Sequence, residues 1–266
     1  MPLIHLNFQS KCLGVETDVN IILTAMPNGA DPEKFYRSRK KYKVAWLLHG
    51  GFGGYGDWLR LTNIERYCIE RDLIAVMPNG LNSGFSNIDF GMSKYSMFDF
   101  LTGELMPLVQ GWLPASDRRE DNFMCGLSMG GDGSLKYAVN NPERFAGCAV
   151  LSMAPVPVYE PDGTITPRVQ TKIKRLGGLD EYLASYENVW GKLEQIPVGK
   201  LPKLYVACGK QDKDVYPRFL RFKEYIEKLC HEALFEEFEQ YGHEWPLWDE
   251  SIQRAFDYFG IEKTSR

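Results

Sequence analysis

The sequence predicts an α/β fold in which a mostly parallel β-sheet is covered by helices. Three observations lead to this prediction. From residue 44 onward, short apolar runs alternate with segments of helical spacing, which is typical of parallel strands joined by helices. The first two strand patterns instead alternate apolar and polar residues, as antiparallel edge strands do. The chain has 266 residues, so we expect residues 1–266 to form a single domain with one large core.

The predicted elements follow from these patterns in chain order. Alternating or nearly continuous apolar residues predict strands at residues 3–9, 18–25, 44–49, 73–77, 122–125, 148–152, 204–208 and 234–239. Helical spacing predicts helices at residues 59–70, 98–113, 132–140, 216–230 and 248–259, the second with a kink or break at Pro107. The polar stretch 27–41 contains glycine, proline and several basic residues, and it is predicted to be a surface loop.

A Gly-x-Ser-x-Gly pattern occupies residues 126–130, with Ser128 at its centre. An apolar strand pattern leads into it and a helical pattern follows it. A strand that turns sharply into a helix at a serine is the nucleophile elbow of α/β-hydrolases, where glycines avoid collisions between neighbouring Cβ atoms. The turn exposes the serine Oγ near a helix N-terminus, which favours developing negative charge. The sequence therefore predicts the α/β-hydrolase fold with Ser128 as the nucleophile.

A serine nucleophile needs a general base and an acidic group that orients the base. In α/β-hydrolases the acid and then the histidine follow the serine along the chain. His243 comes directly after the last predicted strand, in a loop marked by a glycine, and is the predicted base, whereas His231 follows a predicted helix. Asp212 lies close to the end of the strand at 204–208 and is the predicted acid, with Asp214 as the alternative.

The oxyanion that forms during acyl transfer needs two backbone N–H donors. Met129, the residue after the nucleophile, is expected to supply one of them. The other is expected from the glycine-rich loop after the strand at 44–49, where Gly51 is the predicted donor and Phe52 is the alternative. The glycines allow the backbone of this loop to approach a substrate carbonyl closely. His49 is interpreted as a residue that organises the loop.

Residues 155–202 interrupt the alternation of strands and helices. They contain several prolines and two short helical patterns, at 181–186 and 189–196. Two interpretations remain open, a surface insertion and a cap over the site. A basic cluster in this segment is interpreted as a solvated helix face rather than as a contact for an acidic substrate, and its members are Arg168, Lys172, Lys174 and Arg175.

Three aromatic residues near the motifs are expected to line a substrate pocket. Phe52 and Trp58 lie on or just after the glycine-rich loop, and Trp245 lies beside the predicted base. An aromatic wall would suit a phenolic or short aliphatic ester. Most aromatic side chains belong to the core, which is the alternative for each of the three.

Composition and charge exclude several functional classes. The net charge is −4, so neither a nucleic acid nor a membrane is an expected partner. The N-terminus lacks the pattern of a signal peptide, and no apolar run is long enough to cross a membrane, so we expect a cytoplasmic protein. The six cysteines are scattered and are expected to be reduced thiols, with no metal and no cofactor. The expected partner is a small-molecule ester, and a homo-oligomer remains open.

Five motifs together resemble a known esterase family. They are His49-Gly-Gly51, Phe100-Leu-Thr-Gly-Glu-Leu105, Gly126-Leu-Ser-Met-Gly-Gly131, Cys208-Gly-Lys-Gln-Asp212 and Gly242-His-Glu-Trp245. The family contains esterase D, tributyrin esterases and some feruloyl and acetyl-xylan esterases. The resemblance covers residues 44–259 and implies an α/β-hydrolase that cleaves short-chain acyl or aryl esters, feruloyl and acetyl-sugar esters among them, with its triad on Ser128, Asp212 and His243.

The chain departs from this family at two places. Asp132 stands where the family usually has an aromatic residue, and residues 155–202 match poorly, so the specificity for acyl and alcohol groups is not implied. Three alternatives to a carboxylesterase remain open: an S-formylglutathione hydrolase-like thioesterase, an acyltransferase, and a non-catalytic binding protein on a hydrolase scaffold. The first is disfavoured because those enzymes resemble one another in a Ser-Gly-Leu-Thr-Cys loop, where this chain has His-Gly-Gly-Phe.

Overall fold

A central β-sheet organises the computed structural model, which describes residues 2–89 and 94–264. In chain order the strands of the described residues are β1 (Leu3–Gln9), β2 (Glu16–Ile22), β3 (Val44–Leu48), β4 (Ile74–Pro78), β5 (Asn87–Asp89), β6 (Lys94–Ser96), β7 (Asn122–Leu127), β8 (Gly147–Leu151), β9 (Lys203–Gly209) and β10 (Ala233–Phe238). Strands β5 and β6 form a separate pair. The others form one sheet in the order β1-β2-β4-β3-β7-β8-β9-β10.

The pairing directions confirm the predicted mostly parallel sheet with an antiparallel N-terminal edge. Strand β2 pairs antiparallel with both β1 and β4. From β4 to β10 every neighbouring pair is parallel. The edge strand β1 alternates exposed and half-buried residues, whereas β3, β4, β7 and β8 are buried along their whole length.

Helices cover both faces of the sheet. In chain order those of the described residues are α1 (Pro32–Tyr36), α2 (Asp57–Leu61), α3 (Ile64–Glu70), α4 (Met97–Asp99), α5 (Met106–Trp112), α6 (Met129–Asn140), α7 (Pro167–Leu176), α8 (Leu179–Ala184), α9 (Val189–Leu193), α10 (Tyr216–Leu229) and α11 (Trp245–Tyr258). A π-helical turn, Phe100–Leu105, joins α4 to α5, and a 3₁₀ turn, Arg119–Asp121, precedes β7. Among the described residues, no helix is long and apolar enough to cross a membrane.

Several elements differ from the sequence-based expectation. The helix expected at 59–70 is divided because Thr62 is extended and its hydroxyl accepts a hydrogen bond from the Ile64 N–H group. The helix expected at 98–113 contains the π-helical turn, and Pro107 lies in the first turn of α5, where a missing N–H group costs little. The loop expected at 27–41 contains α1, because the Asp31 side chain caps it and Pro32 begins it. Strands β5 and β6 were not predicted, and helix α7 was expected only as the helix face of the basic cluster.

The core lies on both sides of the sheet. Helices α2, α3 and α11 cover one face, where Trp58, Tyr67 and Phe256 are buried. Helices α5, α6 and α10 pack against the opposite face, in clusters that contain the buried side chains pointing to that face. Burial raises the pKa of the Cys125 thiol to about 12, and no cysteine of the described residues forms a disulfide.

The parallel strands bring their carboxyl ends to one edge of the sheet. Leu48 is the partner of Gly126 across β3 and β7, and Leu127 is the partner of Leu151 across β7 and β8. The loops after β3, β7, β9 and β10 therefore meet at this edge, which is where ligands bind in open α/β sheets.

Candidate active site

Ser128 stands in a strained turn between β7 and α6. Its φ and ψ angles are 51° and −117°, a backbone conformation that is rare for a residue with a side chain. The two flanking glycines make the turn possible. A Cβ atom on Gly126 would lie 2.2 Å from the Gly130 carbonyl oxygen, and one on Gly130 would lie 2.3 Å from the Leu48 carbonyl oxygen. The predicted elbow is therefore present in the backbone.

Ser128, His243 and Asp212 are joined by two successive hydrogen-bond contacts. The His243 Nε2 atom is 3.0 Å from the Ser128 Oγ atom, and its Nδ1 atom is 2.7 Å from the Asp212 Oδ2 atom. Asp212 is buried, and its other oxygen accepts a hydrogen bond from the Val215 N–H group at 3.0 Å. Because ionised Asp212 can only accept, the His243 Nδ1 atom carries the proton and Nε2 is free to accept one from the serine.

Asp214, the alternative acid, pairs with two arginines and not with His243. Its Oδ2 atom is 2.6 Å from the Arg168 Nη2 atom and 2.8 Å from the Arg218 Nη2 atom. The structure thus brings Asp212 to the histidine and Asp214 to two arginines. His231, the other histidine after the elbow, is buried and its Nε2 atom lies 3.1 Å from the Leu193 carbonyl oxygen.

The glycine-rich loop lies directly over the elbow. A Cβ atom on Gly50 would meet the Leu127 Cδ1 atom at 2.7 Å and the Ser128 Cβ atom at 3.6 Å. Phe52 donates its N–H group to the Asn82 side-chain oxygen at 2.6 Å, so this N–H group is already engaged. The N–H groups of Gly51 and Met129 donate to no other residue in the described part of the chain. The N–H groups of Gly51 and Met129 are therefore free to bind a ligand, as their predicted role as oxyanion donors requires.

His49 fixes the shape of this loop. Its Nδ1 atom is 2.7 Å from the Gly50 carbonyl oxygen, and its Nε2 atom accepts the Gly80 N–H group at 2.8 Å. Burial lowers the pKa of His49, although the Gly50 carbonyl and the charge of Asp57 oppose the shift. The imidazole is therefore neutral, with its proton on Nδ1. These contacts fit the interpretation of His49 as a loop organiser.

The expected pocket aromatics do not form a wall around Ser128. Trp58 is 1% exposed and belongs to the core, where its Nε1 atom donates to the Leu48 carbonyl oxygen at 3.3 Å. Its position corrects the expectation that it lines the pocket. Trp245 packs edge-on against both Trp58 and Trp248. Phe52 is 98% exposed on the glycine-rich loop and has a φ angle of 62°.

Trp248 is a site residue that the motifs did not reveal. Its ring lies edge-on to the His243 imidazole, with the centroids 5.2 Å apart. Its Nε1 atom donates to the Ser152 Oγ atom at 2.9 Å, which anchors the ring. The available signal was a second tryptophan three residues after the Gly-His-Glu-Trp motif, in the first turn of the helix that follows it. Trp248 thus packs against the imidazole, and Trp245 packs against Trp248 in turn.

A cavity of about 570 Å³ opens beside Ser128 and His243. Much of its wall comes from the segment expected as a surface insertion or a cap. Apolar residues of this segment, Val156, Val169 and Trp190, contribute to the wall together with Met153. Charged residues also line the cavity, and they are Asp132, Arg168, Lys172, Glu187, Asp212, Asp214 and Arg218. The cavity wall is therefore mostly apolar with charged residues among it, and its aromatic members are Tyr182 and Trp190 in place of the expected Phe52, Trp58 and Trp245.

The basic cluster is solvated in part, because Arg168, Lys174 and Arg175 are exposed and Lys172 is half-buried. The Lys172 Nζ atom is 3.1 Å from the Glu187 Oε2 atom and 3.6 Å from the Asp132 Oδ2 atom. Arg175 also binds Glu187. Burial alone would raise the pKa of Glu187, but the positive charges of Lys136, Lys172 and Arg175 lower it to about 2. The cluster is ion-paired, because carboxylates from other elements face it.

Within the described residues, no group of histidine, cysteine and acidic side chains is arranged to hold a metal ion. The chemistry that this arrangement offers is nucleophilic catalysis by a serine. It combines a serine Oγ at a helix N-terminus, an imidazole whose Nε2 atom faces that Oγ atom, and two unengaged N–H groups nearby.

Comparisons with known proteins agree with this chemistry. The profile of a family described as "Putative esterase" matches residues 26–259. An acetyl esterase from Caldicellulosiruptor saccharolyticus is 27% identical over 270 residues, which cover 97% of this chain and 98% of the relative.

Two solved structures from Staphylococcus aureus are similar over nearly their whole length. FphF, a fluorophosphonate-binding serine hydrolase with substrate bound, has a TM-score of 0.80 and 27% identity, and the match covers 98% of this chain and 99% of that one. The apoenzyme of the S-formylglutathione hydrolase FrmB has a TM-score of 0.77 and 26% identity, with 97% and 98% covered. The chain therefore belongs to the "Putative esterase" family and is a carboxylic ester hydrolase with the α/β-hydrolase fold.

Proposed function

We propose that this protein is a serine carboxylesterase that hydrolyses short-chain acyl or aryl esters through an acyl-enzyme on Ser128. One observation carries the proposal. The atoms Ser128 Oγ, His243 Nε2, His243 Nδ1 and Asp212 Oδ2 form a continuous line of hydrogen-bond contacts at 3.0 and 2.7 Å. That line opens into the cavity where an ester can bind.

In the first half of the proposed reaction, Ser128 Oγ attacks the ester carbonyl while His243 Nε2 takes its proton. The carbonyl oxygen becomes an oxyanion that accepts hydrogen bonds from the Gly51 and Met129 N–H groups. Each such donor typically stabilises the transition state by about 3 kcal/mol. Asp212 stabilises the imidazolium that forms and holds its orientation. His243 then gives the proton to the leaving alcohol, and the acyl group stays on Ser128.

In the second half, water attacks the acyl-enzyme. His243 takes a proton from this water and returns it to Ser128 Oγ as the carboxylic acid leaves. The neutral state of His49 suits both steps, because its Nδ1 proton holds the Gly50 carbonyl and thereby the loop that carries Gly51. None of these steps requires a cofactor.

The relatives support an ester as the substrate. The similar protein from Caldicellulosiruptor saccharolyticus is an acetyl esterase, and FphF is a serine hydrolase that binds fluorophosphonates. The similarity to FrmB supports a second candidate, hydrolysis of the thioester S-formylglutathione. The acyl-enzyme mechanism is the same for both, and only the leaving group differs.

The test is hydrolysis of 4-nitrophenyl acetate, 4-nitrophenyl butyrate and S-formylglutathione by the wild-type protein and by Ser128→Ala. We expect Ser128→Ala to lose ester hydrolysis to near background. Ser38→Ala removes a hydroxyl from an exposed turn and is the matched control, which should retain activity. Retained activity in Ser128→Ala would refute the proposal. A kcat/KM for S-formylglutathione far above those for the oxygen esters would select the second candidate.

A further inference from the structure

Two serines with the same unusual backbone stand at neighbouring strand ends. Ser128 follows β7 and Ser152 follows β8, with φ angles of 51° and 47°. The Ser128 N–H group donates to the Leu151 carbonyl oxygen at 2.8 Å, and the Ser152 N–H group donates in the same way to the next strand, at the Ala207 carbonyl oxygen. Both serines line the cavity. A positive φ angle in a residue with a side chain costs free energy and persists only where the surroundings hold it.

The Ser152 hydroxyl binds the indole of Trp248. Ser152 is buried, and its Oγ atom accepts the Trp248 Nε1–H group at 2.9 Å. In the described part of the chain, the Ser152 side chain makes no other hydrogen bond. A buried indole N–H group needs an acceptor in a defined direction, so this contact sets the orientation of the Trp248 ring.

The Trp248 ring lies between the core and the imidazole of His243. Its centroid is 5.2 Å from that of His243, with 87° between the ring planes. It also packs edge-on against Trp245 at 5.0 Å, and Trp245 packs edge-on against buried Trp58 at 5.7 Å. Trp248 is thus held by Ser152 at its nitrogen and by Trp245 at its ring.

The hydrogen-bond contacts of the His243 imidazole leave it one freedom. Contacts at Nδ1 and Nε2 fix the line between these atoms, but the ring can still tilt about that line, and the side chain is 40% exposed. When Ser128 carries an acyl group, its Oγ atom no longer donates to Nε2, and only the contact with Asp212 remains. A ring packed across the imidazole opposes the tilt at both stages.

We propose that Ser152 and Trp248 are positioning residues for His243. The Ser152 hydroxyl fixes the indole, and the indole fixes the orientation in which the imidazole passes a proton to the leaving alcohol. This inference rests on the proposed esterase function and adds two residues that act through the base. A misplacement of about 1 Å can cost about 10²-fold in rate, so one hydrogen bond behind the imidazole is enough to control the reaction.

Phenyl butyrate and 4-nitrophenyl butyrate test this proton transfer. They carry the same acyl group and leaving groups of similar shape, but phenolate is the more basic of the two and depends more on a proton from His243. The kcat/KM value reports the acylation step for both esters. The ratio of the phenyl value to the 4-nitrophenyl value therefore falls when the imidazole is misplaced. A loss of folded protein lowers both values equally and leaves the ratio intact.

Two variants each remove one partner of the hydrogen bond, Ser152→Ala and Trp248→Phe. We expect each to lower the ratio by at least about fivefold. Ser152→Gly also removes the strain of the positive φ angle, and it should lower the ratio as much as Ser152→Ala does. The double variant Ser152→Ala/Trp248→Phe should lower the ratio no further than the larger single effect, because both residues act through one contact.

Ser251→Ala is the matched control. Ser251 is buried on the same helix as Trp248, and its hydroxyl donates to the Leu247 carbonyl oxygen at 2.7 Å, so the ratio should keep its wild-type value. An unchanged ratio in Ser152→Ala, or single effects that multiply in the double variant, would overturn the inference. If Ser152→Ala does not fold, an unchanged ratio in Trp248→Phe has the same meaning. Loss of all ester hydrolysis in the wild-type protein would instead refute the esterase function itself.

Discussion

The Nε2 atom of His243 lies 3.0 Å from the Oγ atom of Ser128, although 115 residues separate them in the chain. The sheet explains this proximity. Ser128 follows β7 and His243 follows β10, and both strands end at the same edge because every pairing between them is parallel. The neighbouring strands β8 and β9 bring Ser152 and Asp212 to the same edge. The contact is thus a consequence of the sheet topology. The strained backbone of Ser128 also contributes, because it turns the hydroxyl group toward His243.

Asp212→Asn should lower kcat for 4-nitrophenyl acetate by about 10³–10⁴-fold. An amide in this place would reverse the proton arrangement of the imidazole, so Nε2 could no longer accept the serine proton. Asp214→Asn is the matched control, because Asp214 pairs with arginines and not with His243. We expect its kcat for this small neutral ester to fall far less. Equal losses in the two variants would show that Asp212 is not the triad acid.

His49→Ala should lower kcat with little change in KM. The loop that carries Gly51 would lose the two hydrogen bonds of the imidazole, so the proposed oxyanion donor would be held less firmly. Displacing one oxyanion donor costs about 10²–10³-fold in kcat, and a loosened donor should cost less than this. His49→Asn keeps a donor near the position of Nδ1 and should recover part of the rate. Steady-state kinetics with 4-nitrophenyl butyrate separate the two parameters. If His49→Asn and His49→Ala were equally impaired, the bond to the Gly50 carbonyl would not be what positions the loop.

Gly130→Ala should prevent the elbow from forming. The new Cβ atom would lie 2.3 Å from the Leu48 carbonyl oxygen and 2.6 Å from that of His49, so two backbone segments would have to move apart. Overpacking of this kind typically costs about 1–3 kcal/mol or more. Gly103→Ala is the control: no atom lies within 4 Å of its added Cβ, and the change should be neutral or stabilising by about 0.5–1 kcal/mol. Thermal unfolding measures both, and an unchanged midpoint in Gly130→Ala would contradict the close packing at the elbow.

The ion pairs of Glu187 with Lys136, Lys172 and Arg175 should make the stability of the protein depend on pH in the acid range. The pKa of Glu187 falls from 4.5 to about 2 in the folded protein, because the nearby cations outweigh the opposing effect of burial. The unfolded chain therefore binds the proton more readily. The stabilisation is fully present above about pH 4.5 and is lost as the pH falls through about 2. A shift of this size corresponds to on the order of 3 kcal/mol.

Glu187→Gln is the variant that tests this pH dependence. It should lower the free energy of unfolding at pH 7, because it leaves Lys136 buried with less negative charge around it, and breaking a buried pair costs about 3–5 kcal/mol. It should also flatten the dependence of stability on pH between about 4.5 and 2. Urea unfolding at a series of pH values gives both quantities. A variant with the wild-type slope would show that other carboxylates cause the acid sensitivity.

The strands and the residues of the proposed triad could be predicted from the sequence because each depends on local signals. The run of buried residues in β7, the glycines around Ser128 and the Gly-His pair after β10 are all visible within a few positions. Parallel topology then requires the strand ends to meet, so the triad follows from order alone. The same reasoning located Asp212 but could not separate it from Asp214, which lies only two residues away.

The ion pairs beside the cavity could not be predicted, because contacts between distant segments create most of them. Lys136 lies in a helical stretch with nothing nearby to show that its side chain is fully buried. Its partners are the Gly84 carbonyl oxygen, the Ser86 hydroxyl and Glu187, which come from other parts of the chain. The spacing of Arg168, Lys172 and Arg175 did indicate one helix face. Whether that face meets water or carboxylates depends on tertiary structure.

The most direct test of the central claim, that Ser128 is the nucleophile, is to locate a covalent adduct. The protein is treated with a fluorophosphonate probe, digested, and the labelled peptide is sequenced by mass spectrometry. The account predicts one label per chain, on Ser128, with no label in Ser128→Ala and a much slower reaction in His243→Ala. A label on another residue, or an equally labelled Ser128→Ala protein, would contradict it.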